Sequence, residues 1–199
     1  MSKKYEVLRQ VIEERRTVRR YTDAPVPEED VRRILDAARY APSSGNEQPW
    51  KFLVVRDRKR INELRDVAVR TTLDYCRTKL GMCAEQVEEQ QKTQTEYVTG
   101  CLSAPVLVAI LVDKEAKWAS YSRHDGALAA ANLMLAARAL GYGTIYGTDG
   151  VPEAAVRKVF SIPERYEFVI LTPIGVPEDW PKAPERKDLE SFLVYERFE

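Results

Sequence analysis

The chain has 199 residues, 44% of them apolar and 31% charged, which suits one sizeable hydrophobic core and excludes a disordered chain. Its 31 basic side chains balance its 31 acidic ones, so no charge excess marks a nucleic-acid binder and any anionic ligand must be met by a local cluster. No run approaches the roughly 20 apolar residues of a membrane span, and the N-terminal residues are polar instead of an apolar signal region. Three cysteines, Cys76, Cys83 and Cys101, show no metal-type spacing and point to a reduced, cytoplasmic chain, with a Cys76–Cys83 disulfide left open. No grouping of histidine, cysteine and carboxylate suggests a metal.

Val7, Leu8, Val11 and Ile12 recur at helical spacing over residues 5–14, and this amphipathic helix delivers a basic cluster, Arg15-Arg16-Thr17-Val18-Arg19, at its C-terminal end. Guanidinium groups present planar forks of donors that suit phosphate oxygens, and the Thr17 hydroxyl adds another donor. Pro25 and Pro27 forbid helix in the connector that follows. Pro27-Glu28-Glu29-Asp30 then starts a second helix, with proline early and carboxylates in the first turn, and Val31, Ile34, Leu35 and Ala38 form its apolar stripe up to Pro42.

The segment Ala41-Pro42-Ser43-Ser44-Gly45-Asn46-Glu47-Gln48-Pro49-Trp50 joins this helix to a strand, Trp50–Val55. A charged helix carrying Ile61 and Leu64 comes next. Residues 70–100 read as a helical excursion interrupted at Gly81, over the cofactor or a partner subunit, where substrate choice could reside. Residues 104–112 form a continuous apolar strand buried on both faces. Asp125–Leu140 is a central helix, apolar nearly all round, which Gly141 ends by supplying a left-handed residue. Thr144–Gly150 reads as a short strand and loop, Pro152–Phe160 as a helix, and Tyr166–Val176 as a strand broken by Pro173. The tail carries Pro181, Pro184 and a last apolar stretch, Phe192–Tyr195. His124 is the sole histidine and reads as a cap or surface residue.

An Arg-Arg-Ser/Thr-x-Arg segment, then a helix, then Ala-Pro-Ser-x-x-Asn-x-Gln-Pro-Trp resembles the nitroreductase-like flavoproteins, which bind FMN. The resemblance runs from about Val7 to the C-terminus. It implies an α+β fold in one domain over residues 1–199, with a central mixed sheet of four or five strands flanked by helices. It also implies a homodimer with the flavin in the interface and the C-terminal arm exchanged. By position, Arg15, Arg16 and Thr17 would contact the phosphate and ribityl chain. Arg19 would lie near the pyrimidine edge, where two-electron reduction leaves negative charge on the flavin. Pro42, Ser43, Ser44 and Asn46 would meet the ring or ribityl oxygens. Gly147, Thr148, Asp149 and Gly150 correspond to the loop offering backbone N–H groups to N5 and O4. Asp149 departs from the family's usual glycine pair and reads as a turn residue, with a proton donor as the alternative. Arg186, or Lys187 beside it, would return to the phosphate.

The activity so implied is hydride transfer from NADH or NADPH through flavin N5 to a nitroaromatic, quinone or similar acceptor, with no catalytic side chain. Three alternatives share the motif: a non-catalytic FMN-binding or storage protein, a flavin-consuming enzyme, and a reductive dehalogenating enzyme.

Overall fold

The structure is a computed structural model that describes residues 2–147 and 150–198. Helices α1 (Lys3–Glu14) and α2 (Glu28–Ala38) precede strand β1 (Trp50–Val55). Helices α3 (Arg58–Thr78) and α4 (Ala84–Cys101) lead to β2 (Val106–Asp113), and α5 (Ala119–Ala139) and α6 (Glu153–Phe160) lead to β3 (Tyr166–Ile174). The strands form one antiparallel sheet in the order β1-β2-β3, with Trp50 opposite Val112 and Val106 opposite Ile174.

β2 lies centrally and is apolar throughout because helices cover both faces of the sheet. Its even-numbered side chains, Val106, Val108, Ile110 and Val112, pack with α2 and α5, including Ile34, Ala129, Ala130 and Leu133. Its odd-numbered ones, Leu107, Ala109 and Leu111, pack with α3, α4 and α6, including Leu64, Val98 and Val156. A continuous apolar run therefore marks burial on both faces and does not require parallel neighbours.

The sheet differs from the expected mixed sheet of four or five strands. Among the described residues three strands are regular, and residues 143–147 lie beside them only as single bridges. Gly143 pairs with Gly175 and Gly147 with Leu171 in antiparallel fashion, while Thr144 pairs in parallel with Thr17. A short, glycine-bearing segment that bonds alternately to two neighbours does not sustain a ladder. Pro173 sits inside β3 opposite Leu107, where it was expected to break the strand. β3 is an edge of the regular sheet, and an edge tolerates a missing donor.

α5 begins six residues before the expected Asp125, because the Glu47 carboxylate accepts hydrogen bonds from the Lys117 and Trp118 backbone N–H groups ahead of its first turn. At its other end Gly141 has φ +87°, the left-handed residue the sequence predicts, and the Tyr142 N–H returns to the Ala137 carbonyl at 2.8 Å to close a Schellman end. α5 is not buried all round: Leu128 is 45% exposed and Ala131 is exposed. α1 buries no residue at all, and Val7, Leu8 and Ile12 stay open. Between α1, Tyr40 and Leu135 lies an apolar groove of about 920 Å³. Cys76 and Cys101 are buried and Cys83 is exposed, all as free thiols. No helix among the described residues is long and apolar enough to cross a membrane.

Candidate functional site

The segment after α1 is pinned by its one apolar member. Val18 is 1% exposed and packs with Tyr21 and Ala104, and its N–H donates to the Thr144 carbonyl at 2.9 Å. Burying Val18 turns its neighbours Thr17 and Arg19 away from that cluster, while Arg15 and Arg16 open on a cavity of about 670 Å³. Arg186 of the tail lines the same cavity and Lys187 does not. Ala131, Met134 and Leu135 of α5 add apolar wall.

Among the described residues, neither Arg15 nor Arg186 has a carboxylate within ion-pair distance, whereas thirteen other such pairs occur. Burial, then Arg186 and Arg16, push the Arg15 guanidinium below its ordinary pKa. Glu13 also lines the cavity but its carboxylate pairs with Arg9 at 2.7 Å, so the three cations outnumber it and leave a surface complementary to a phosphate. The tail is held in place nearby: Arg138 of α5 donates to Glu14 at 2.7 Å and stacks 4.0 Å over the Trp180 ring. Hydrogen bonds from Gln10 and Arg138 hold the Glu14 carboxyl below its usual range.

Arg19 lies apart from this cavity. It is beside Tyr97 and Cys101 of α4, and its carbonyl packs against Gly100. Gly147 and Gly150 border a small void with Tyr97, Cys101 and Leu171. Thr148 and Asp149 fall outside the described residues.

The loop after α2 forms a third unit. Ser44 donates its N–H to Asp125 at 3.1 Å and its hydroxyl to the same carboxylate at 3.4 Å, and Asp125 is 5% exposed. Ser43 accepts from the Gln48 N–H at 3.0 Å, which leaves its own O–H proton available to a ligand. Gly45, Asn46 and Gln48 all have positive φ, and a Cβ on Gly45 would lie 2.5 Å from the Trp118 indole nitrogen. Two non-glycine residues in the left-handed region mark a backbone shaped by something other than local preference. Trp50 is buried in the core, in keeping with a structural role for Gln48-Pro49-Trp50.

One chain thus brings Arg15, Arg16 and Arg186 together, and separately Gly147 and Gly150, on a void whose Tyr97 and Cys101 also neighbour Arg19. It does not place Pro42, Ser43, Ser44 or Asn46 on either cavity. Gln94, Tyr97, Asp125 and Glu47 escaped the sequence reading, because each acts through a contact distant along the chain and none belongs to a recognisable spacing.

Residues 12–176 match the Nitroreductase family, and the chain belongs to that family. An iodotyrosine deiodinase of Thermotoga neapolitana is 31% identical over 191 residues, covering 95% of this chain and 99% of that protein. A Methanothermobacter thermautotrophicus protein provisionally named NADH dehydrogenase/NAD(P)H nitroreductase is 30% identical, covering 92% of this chain and 86% of that protein. Among solved structures, an oxidized iodotyrosine deiodinase bound to FMN and 3-iodo-L-tyrosine superposes with a TM-score of 0.74 at 30% identity, covering 96% of this chain and all of that one.

Proposed function

We propose that this chain is an FMN-dependent oxidoreductase that accepts hydride from NADH or NADPH and reduces a nitroaromatic, quinone or similar acceptor. The observation that carries this reading is the convergence of Arg15, Arg16 and Arg186 on one cavity where the single carboxylate residue, Glu13, pairs with Arg9 instead. These three residues, with Thr17, would hold the phosphate and ribityl chain. The cofactor is FMN, and when bound it supplies the two-electron chemistry, so the protein needs no acid–base side chain of its own. Arg19 places a cation beside the pyrimidine edge and favours negative charge there. The segment from Gly147 to Gly150 would offer N–H groups to the N5 and O4 edge, as the family resemblance implies.

The Pro42–Asn46 loop enters the site from a second copy of the chain. Three features support a homodimer: the open apolar face of α1, the exposed Leu128, and a tail whose Leu189, Phe192, Val194 and Tyr195 are all uncovered. Exposed apolar surface of this extent marks a contact site. The expected arm exchange remains part of this proposal, as does the cytoplasmic location.

A second reading, reductive dehalogenation, is favoured by the 31% identity to the iodotyrosine deiodinase over nearly the whole chain. One experiment tests both. The yellow, FMN-loaded protein is mixed anaerobically with NADH or NADPH, then with a nitroaromatic, a quinone or 3-iodotyrosine. Bleaching by nicotinamide and recovery with the first two acceptors is the expected result. Iodide release from 3-iodotyrosine as FMN reduced by nicotinamide, or by dithionite where nicotinamide does not bleach it, is reoxidised selects the second reading, and a protein whose reduced FMN passes electrons to none of these acceptors is a storage protein.

A further inference from the structure

Resting on the FMN reading above, we infer that Arg138 and Trp180 are positioning residues, a clasp that directs the tail so that Arg186 reaches the FMN phosphate. Residues 178–188 are exposed and form neither helix nor strand. A segment of that kind buries little and leaves the direction of a long cationic side chain undetermined. At its start the Glu178 N–H donates to the Arg20 carbonyl at 3.2 Å. Two residues on, the Trp180 ring lies 4.0 Å from the Arg138 guanidinium, face to face.

The sequence makes the span from Trp180 to Arg186 stiff. Pro181 and Pro184 fix their own φ and push the residues before them, Trp180 and Ala183, into extended backbone. Six extended residues reach at most about 20 Å, so fixing Trp180 confines Arg186 to a small region. Ala183, Pro184 and Arg186 all line the cavity of Arg15 and Arg16, whereas Lys182, Glu185 and Lys187 do not. The strap therefore enters that cavity with one cation and an apolar edge.

Arg138 suits the other half of the clasp. It stands next to buried Ala137 near the end of α5, and its Nη2 donates to Glu14 at 2.7 Å. Its Nε is buried with no hydrogen-bond partner among the described residues. One edge of the guanidinium thus meets Glu14 and one face meets Trp180, a division that a planar, permanently charged group allows and an ammonium does not. Glu14 immediately precedes Arg15, so pairing it with Arg138 also offsets a negative charge close to the phosphate site. Arg138 itself does not line the cavity, so it acts on the phosphate through Arg186 and Glu14.

The test titrates FMN and riboflavin, by fluorescence, into wild type, Trp180→Leu, Trp180→Phe, Arg186→Gln and the pair Trp180→Leu/Arg186→Gln. Arg186→Gln should weaken FMN binding about fivefold to thirtyfold, as a charged contact becomes a neutral one. Trp180→Leu should weaken it about threefold to tenfold, and Trp180→Phe, which keeps an aromatic face, by less. Riboflavin binding should change by less than about twofold in every variant. The pair should bind FMN no more weakly than Arg186→Gln alone, since Trp180 acts only through Arg186. A merely structural residue would weaken both flavins, and its effect would multiply with that of Arg186→Gln; either result refutes the clasp. Wild-type FMN affinity in Trp180→Leu refutes it as well, as does Trp180→Phe binding as weakly as Trp180→Leu. Should Trp180→Leu not fold, Trp180→Gln takes its place with the same expectations. A wild type that binds neither flavin, or an Arg186→Gln variant that treats both flavins alike, refutes the placement of the FMN phosphate in this cavity and the clasp with it, a pattern distinct from the others.

Discussion

Replacing Arg15 by Gln should weaken FMN binding while leaving riboflavin binding almost untouched. Arg15 faces a cavity shared with Arg16 and Arg186, and in the function proposed above its charge would act on a phosphate that FMN carries and riboflavin lacks. Glutamine keeps one donor and removes the charge. A hydrogen bond to a charged group contributes about 1.5–3 kcal/mol net and a neutral one about 0.5–1.5, so the loss is about 1–2 kcal/mol. That is a factor of about 5–30 in Kd. The apo protein should respond in the opposite sense. Because burial and two guanidinium neighbours lower the Arg15 pKa, the folded state holds that proton less readily than the unfolded chain does. The charge therefore opposes folding at every pH below the guanidinium range, and Arg15→Gln should leave the apo Tm unchanged or raised. Fluorescence titrations with FMN and riboflavin, beside calorimetry of the apo forms, provide the assay. An equal loss for both flavins would show that Arg15 does not face the phosphate, and the assignment of this cavity would be wrong.

Other substitutions test the remaining parts. Arg19→Gln at saturating FMN should lower the bound-flavin potential by roughly 20–45 mV, equivalent to about 1–2 kcal/mol for a two-electron couple, with Arg15→Gln as the control that leaves it nearly unmoved. Asp125→Ala strands the Ser44 N–H and should cost about 1–3 kcal/mol in urea unfolding, whereas an unchanged midpoint would show that this loop is held by other contacts. Light scattering should give twice the 22.8 kDa chain mass, and Leu8→Glu, on the open face of α1, should shift it towards the monomer; a wild-type monomer at micromolar protein refutes the dimer. The Arg165 guanidinium holds the Asp113 carboxyl below its usual range through a hydrogen bond of 3.0 Å. The folded pKa is depressed, so this contribution is complete above the unfolded value near 4 and fades as pH falls through the folded one. The Tm gap between wild type and Arg165→Gln should accordingly be flat from pH 7 to about 4 and close below that.

Much of this architecture follows from local chemistry. The stripe Val31–Ile34–Ala38 places α2 against the sheet, Gly141 ends α5, and the apolar run at 106–112 is the buried central strand. The cluster of Arg15 and Arg16 is legible too, because its charge density and its spacing around Val18 are properties of five consecutive residues. What the sequence concealed depends on distant partners. Nothing near Ala119 announces a helix start until Glu47 is seen to bond Lys117 and Trp118. Nothing in the polar run of α4 singles out Gln94 until Gly150 lies above it. Arg186 and Lys187 are equivalent in the sequence, and only the path of the tail over Arg138 and Trp180 distinguishes them. Pro173 misled because a proline rule for central strands was applied to an edge.

α5 connects these separate pieces and explains how one apolar helix organises a site made of polar loops. Near its start, Trp118 meets Gly45 and Asp125 holds Ser44. In its middle, Ala131, Met134 and Leu135 form the wall of the arginine cavity, while Leu133 and Ala137 anchor the helix in the core. Near its end, Arg138 ties together Glu14, just ahead of Arg15, and Trp180, six residues before Arg186. Loops alone would leave these groups mobile, since short polar segments bury little and order themselves weakly. Docked at successive turns of a helix fixed by its buried face, they inherit its rigidity. The same arrangement requires small residues where a ligand or another surface must approach, which accounts for Ala131 on the arginine cavity and Ala136 on the groove beside α1, while Ala130 and Ala137 let the helix pack closely in the core. A helix chosen for burial alone would carry leucine at more of these positions, and enlarging Ala131 would narrow the cavity that Arg15 and Arg186 face.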